Sequence, residues 1–220
     1  MRIRQVLWGV GILGGLSLTT TAVAAPELAV IPDYDHGSPV EIQNQSRALR
    51  ELKSRSPSLD CLFVEVDRSV NASLEDFLSN RASYYGSVQV WINQLENFTG
   101  YRFQNVIPAN LLLDARGMGL RVYGVDMDLR SPAGMAMIRA LRAYNNAGRG
   151  NGADESFVRL GIIERNRVMA KNARLEFANR GCRSAALIVG ASHLDNEVDK
   201  IPSVSILKTL EQEGFAVSTI

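Results

Sequence analysis

Residues 186–196 read ALIVGASHLDN. The apolar residues Ala185 to Val189 carry no polar alternation, which predicts a short strand covered on both faces rather than an amphipathic one. The run stops at Gly190, and three residues later comes His193, one of only two histidines in the chain. A glycine there lets the chain turn sharply off the strand and aim His193 beyond its carboxyl end.

Working outward, the same pattern of apolar run followed by polar chemistry recurs. Leu28–Ile31 predicts a first strand, and PDYDHGSP after it places His36 just past the end. Leu62–Val66 predicts a second, with Glu65 and Asp67 at its exit; Leu120–Val125 a third, with Asp126 and Asp128. Helical segments are expected at 40–53, 74–78, 85–97 and 108–115. A further helix starts after the Ser131-Pro132 cap and runs to about Asn145. The Gly- and Asn-rich stretch NNAGRGNGAD, residues 145–154, is a loop. A long helix 155–179, a helix ending before Gly214 and a last strand 215–218 complete the chain. Strands alternating with helices predict an α/β fold with a mostly parallel central sheet flanked by helices. In such sheets ligands bind beyond the carboxyl ends of the strands, so His36, Glu65, Asp126 and His193 are expected to meet in one crevice. Asp67 and Asp128 read more simply as turn and helix-leading residues.

The helix 155–179 contains VRLGIIERNRVMAKNARL. At 3.6 residues per turn Arg165 shares a face with Val158, Ile162 and Met169, and Asn172 lies on the same side. Glu164 falls near the edge of that face; Asn166 and Arg167 point elsewhere. A guanidinium on an apolar face must be paired or face a polar cavity. An ion pair with an acid such as Glu65 accounts for Arg165 as well as catalysis does, and the two are compatible.

The first residues, MRIRQVLWGVGILGGLSLTTTAVAA, have two arginines, an apolar stretch and small residues ending at Ala25, the pattern of a secretory signal peptide over 1–25. The stretch holds four glycines and is short for a bilayer span, and no cysteine follows for lipid attachment. Residues 26–220 then form a single α/β domain, exported to the periplasm or secreted, with no membrane span in the mature protein. Loss of Arg2 and Arg4 takes the formal charge from +1 to −1, which excludes the basic excess of a nucleic-acid binder. Cys61 and Cys182 each precede a predicted strand, so both belong at the amino end of the sheet. A disulfide in an oxidising compartment and two buried thiols are equally consistent with that placement.

ERNRVMAKNA, ALIVGASHL and the final GFAV together resemble the TraB/TIKI branch of the superfamily that also contains ChaN-like and erythromycin-esterase-like proteins. In that family two Gly-x-x-His motifs, a strand-end Glu and a late helical Arg mark the site. Gly190-Ala191-Ser192-His193 matches the second motif, Glu65 in FVEVD the acid, and Arg165 the arginine. Asp33-Tyr34-Asp35-His36 stands at the first motif, with Asp33 where the family has glycine.

The expected catalytic residues are therefore His36, Glu65, Arg165 and His193. His36, Glu65, Asp126 and His193 could ligate a divalent transition metal that activates water. A histidine base held by Glu65, with Arg165 stabilising the oxyanion, achieves the same hydrolysis without metal. The resemblance implies hydrolysis of an ester or amide in a small-molecule or peptide substrate. ChaN-like relatives imply instead a haem protein, with His36 or Tyr34 as axial donor. A secreted interaction protein whose pocket has decayed is the third expectation. No G-x-S-x-G, HExxH or P-loop is present to indicate other chemistry. The aromatics between Val70 and Pro108 (Tyr84, Tyr85, Trp91, Phe98, Tyr101 and Phe103) read as core packing.

Overall fold

Four strands that are nearly continuous in apolar residues can be satisfied only inside a covered sheet, and the computed structural model shows that arrangement. It describes residues 25–102, 108–147 and 153–220. The expected signal peptide lies outside these, apart from Ala25, as do Phe103 and residues 148–152 of the expected Gly/Asn-rich loop, whose flanks 145–147 and 153–154 are helical.

The elements run β1 (Glu27–Asp33), α1 (Pro39–Arg55), β2 (Leu59–Asp67), α2 (Asn71–Leu78), α3 (Val88–Thr99), α4 (Ala109–Gly117), β3 (Arg121–Asp126), α5 (Pro132–Ala147) and α6 (Ala153–Phe157). A π-helical stretch (Val158–Glu164) leads directly into α7 (Arg165–Asn179), followed by β4 (Ser184–Gly190), β5 (Glu197–Val198), β6 (Ile201–Pro202), α8 (Ile206–Gln212) and β7 (Ala216–Thr219). The central sheet is β3-β2-β4-β1-β7 with every pairing parallel. It is thus an α/β fold with a five-stranded parallel sheet. The small antiparallel β5–β6 pair is an addition to the predicted elements.

Alternation along each strand sorts the core into two layers. Leu62 and Val64 of β2 and Ile188 of β4 point to one face, where Leu49, Leu74, Trp91, Leu112 and Ile138 of α1 to α5 cover them. Phe63, Leu187 and Val189 point to the other, against Met169, Ala173 and Phe177 of α7 and Ile206 and Leu210 of α8. α1 begins at an N-cap Ser38 whose hydroxyl accepts the Glu41 N–H, with Pro39 in the first turn.

Cys61 and Cys182 form a disulfide with Cα atoms 5.9 Å apart. It ties β2 to the approach to β4, two strands neighbouring in the sheet and distant in sequence. Such a bond persists in an oxidising compartment. No helix among the described residues is long and apolar enough to cross a membrane.

Candidate active site

Because β4 is inserted between β1 and β2, the carboxyl ends of β3, β2, β4 and β1 stand in that order along one rim. That order sets Asp126, Glu65, Gly190 and the His36 loop side by side. The register of β2 against β3 shifts between Val64 and Asp67, an irregularity that re-aims the strand at Glu65.

Glu65 and Asp126 converge on Arg165. The guanidinium gives Nε to both Asp126 oxygens at 3.2 and 3.1 Å, and Nη2 to Glu65 Oε1 at 2.6 Å and to Asp126 Oδ2. Its Nη1 faces His193 Nε2 at 3.4 Å. Burial works against the Arg165 charge, but Asp126 and Glu65 outweigh it and hold the proton more firmly than in water. Burial would likewise push the Glu65 carboxyl up; the His193 ring, Arg165 and the Gly190 N–H, which donates to Oε2 at 2.6 Å, hold it well below the usual range.

His193 is almost wholly buried, 2% exposed. Its Nδ1 meets the Asn166 carbonyl oxygen. The Asn166 amide group donates to the backbone oxygens of His193 and Val204, which fixes its oxygen as the acceptor and leaves Nδ1 of His193 as the donor. The other nitrogen, Nε2, faces Arg165 and Glu65 Oε1 at 3.3 Å. The expectation that His193 lines the crevice is corrected: it stands behind Glu65 and Arg165 and is absent from the cavity wall.

His36 does occupy the rim. It is exposed, its Nδ1 lies 2.7 Å from Asp33 Oδ2, and that hydrogen bond, aided by the charge of Glu65, raises its pKa against burial and Arg165. The far edge of the ring lies over Gly190: a Cβ there would stand 3.1 Å from Cε1 and Nε2 of His36 and 3.2 Å from Glu65 Oε2. Gly190 has an ordinary φ of −52°. The glycine therefore serves close approach, and the expected sharp turn is not its role.

Below the rim opens a cavity of about 580 Å³, a size suited to a small organic ligand. Asp33, His36, Glu65, Asp126, Arg165 and Gly190 form its polar mouth. Ile92, Leu95, Leu111, Leu129 and Met137 line the remainder, with Trp91 and Tyr101, two of the aromatics read as core packing. Tyr85 and Phe98 of that segment are exposed. Tyr34, considered as a haem ligand, is 76% exposed and off the cavity wall.

The remaining polar residues behave as their positions suggest, with one exception. Asp67 accepts the N–H groups of Ser69 and Leu129, and burial pushes its carboxyl up. Asp128 accepts from Arg130 ahead of α5. Asn172 holds the backbone oxygens of Val125 and Asp126, and Glu164 pairs with Arg167 on the surface. Asn166 is the exception, fully buried rather than pointing elsewhere. The π-helical residues before it widen the turn and rotate the following positions, so a constant 3.6-residue period misplaces it.

The expected metal ligands do not fit an ion as placed. Both Asp126 oxygens and Glu65 Oε1 are bonded to Arg165, whose guanidinium fills the space a cation would need. Among the described residues the cluster with metal-type spacing is Asp60, Cys61 and Cys182, whose donor atoms lie within 4.8 Å. Its two sulfurs are joined to each other and are not thiolates.

No family model matches the chain, and no curated protein matches it. A solved structure described as "The structure of the type III effector HopBA1" aligns at 20% identity and a TM-score of 0.44. The alignment covers 81% of this chain and 75% of that one.

Proposed function

We propose that the chain is an exported, metal-independent hydrolase of an ester or amide bond. The observation that carries this is the Asp33–His36 pair at 2.7 Å, at the mouth of a cavity that also presents Arg165. With Nδ1 engaged by Asp33, Nε2 is the basic nitrogen and faces the rim. His36 takes a proton from water as the water oxygen attacks the carbonyl carbon, and the carbonyl electron pair moves onto oxygen. Asp126 and Glu65 take the Nε and Nη2 hydrogens of Arg165, and Nη1, which lies 3.4 Å from His193 Nε2, is the nitrogen left to donate to the developing oxyanion. Collapse of the tetrahedral intermediate expels the alkoxide or amine, which recovers the proton from His36. Glu65, Asp126, His193 and Asn166 position the guanidinium. The resemblance of the sequence to the superfamily of TraB/TIKI and erythromycin-esterase-like proteins supports ester or amide hydrolysis, the histidine base without metal being the erythromycin-esterase-like variant of it. The disulfide and the expected leader support an extracytoplasmic site of action.

The test is turnover of a panel of aryl esters and anilides by the mature chain. Turnover that is lost in His36→Ala is expected. A second reading, haem binding, is favoured by the same exposed His36 beside an apolar cavity; haemin addition giving a Soret band dependent on His36, without turnover, would replace the hydrolase by it. Neither turnover nor haem uptake would favour the interaction protein.

A further inference from the structure

Gln45 projects from α1 into the cavity wall. It is 4% exposed, and its carboxamide has no hydrogen-bond partner among the described residues. The neighbouring Ser46 hydroxyl also lacks a partner, but it is sealed in the protein and lines no cavity. Gln45 instead presents two N–H donors and one acceptor to open space. A buried amide left without a partner is destabilising, and a ligand that pairs with it recovers that cost.

The surroundings restrict what such a ligand can be. Glu65 and Asp126 are taken by Arg165, Asp33 by His36, and Asp67 by two backbone N–H groups. Arg102, at the cavity mouth, is exposed. Arg165 is the buried cation of the wall, and Glu65 and Asp126 already neutralise it. Among the described residues an anion bound against the apolar wall would therefore meet no uncompensated buried charge, and a cation there would face Leu95, Leu111 and Met137. An uncharged ligand suffers neither penalty.

We propose that the cavity takes an uncharged, mainly apolar ester or amide carrying an additional hydroxyl, carbonyl or amide group, and that Gln45 pairs with that group and sets specificity. This substrate class rests on the hydrolytic reading above.

The chain supplies its own reporter. Of its two tryptophans Trp8 lies in the expected leader, and Trp91 lines the cavity. Trp91 emission is followed while the mature chain is titrated with straight-chain primary amides, with carboxylates and with 1-chloroalkanes of equal length. Amides are expected to bind about three- to fourfold tighter per added methylene until the cavity is full. Carboxylates are expected to bind roughly tenfold more weakly than amides of the same length. Gln45→Leu is expected to weaken the amides about three- to tenfold and leave the chloroalkanes unchanged, a difference that a purely structural role would not produce. Amide binding without ester turnover would support this inference and remove the hydrolytic reading. Equal weakening of amides and chloroalkanes, or carboxylates binding as tightly as amides, would overturn it; so would turnover with no change in Trp91 emission.

Discussion

The His36 ring rests on the Cα of Gly190, so close that a single added methyl would stand 3.1 Å from two ring atoms. The same methyl would press on Glu65 Oε2, which holds the Gly190 N–H. Gly190→Ala is therefore expected to move the base rather than unfold the sheet, because φ at this position suits alanine. The ring would have to give by a few tenths of an ångström, short of the roughly 1 Å that costs on the order of a hundredfold in turnover, so a loss of about three- to tenfold is expected. Rate measurements beside a thermal melt check this: the loss of kcat should accompany a nearly unchanged midpoint.

Arg165 neutralises two carboxylates, so its removal should be felt in stability as well as in rate. Arg165→Met leaves Glu65 and Asp126 without their counter-charge, which should cost about 3–5 kcal/mol at neutral pH. In the native chain Glu65 has a depressed pKa, so its contribution is complete above its ordinary value of 4.5 and disappears as pH falls through the lower folded value. The deficit of the variant should accordingly narrow toward acid. Urea titrations at several pH values provide the measurement, and a deficit that does not vary with pH would contradict the pairing.

Asp33 raises the His36 pKa above 6.5. A base must be unprotonated, so the acid limb of the rate profile should lie above that value and activity should rise through it with pH. The stabilising effect of the pair runs the other way, being present below 6.5 and lost as pH climbs through the raised value. Asp33→Asn should shift the limb downward and lower the plateau rate; a profile that does not move would deny Asp33 its role.

The Cys61–Cys182 bond closes a loop with a sequence separation of 121 residues. A loop of that size predicts a loss of roughly 4–5 kcal/mol when both cysteines become alanine. Denaturant midpoints of the oxidised, reduced and doubly substituted chains should show the last two alike and well below the first.

The strands were legible because each inner one is a run of apolar residues, and their exits were legible because acids or histidines follow directly. Periodicity also exposed Arg165, whose charge on an apolar face demanded a partner. Strand order was not legible: nothing local in ALIVG says that β4 enters between β1 and β2, yet that insertion is what brings Glu65 to Gly190. Asn166 was hidden by the π-helical turn ahead of it, and the burial of His193 by tertiary packing that no short motif encodes. Asp33 could have been found from its spacing. It reads as a departure from a glycine motif, while a carboxylate three residues before a histidine in a turn is placed to hold Nδ1.

The central claim is that an internal cation, Arg165, does the electrostatic work for which a metal would otherwise be needed, with His36 as the base. The direct measurement is ester turnover before and after exhaustive dialysis against a strong chelator, with elemental analysis of both samples and His36→Ala in parallel. The prediction is an unchanged rate in metal-free protein and a fall of roughly 10² to 10⁴ in the variant. Activity that vanishes with the chelator and returns with a stoichiometric transition metal, or that survives in His36→Ala, would contradict it.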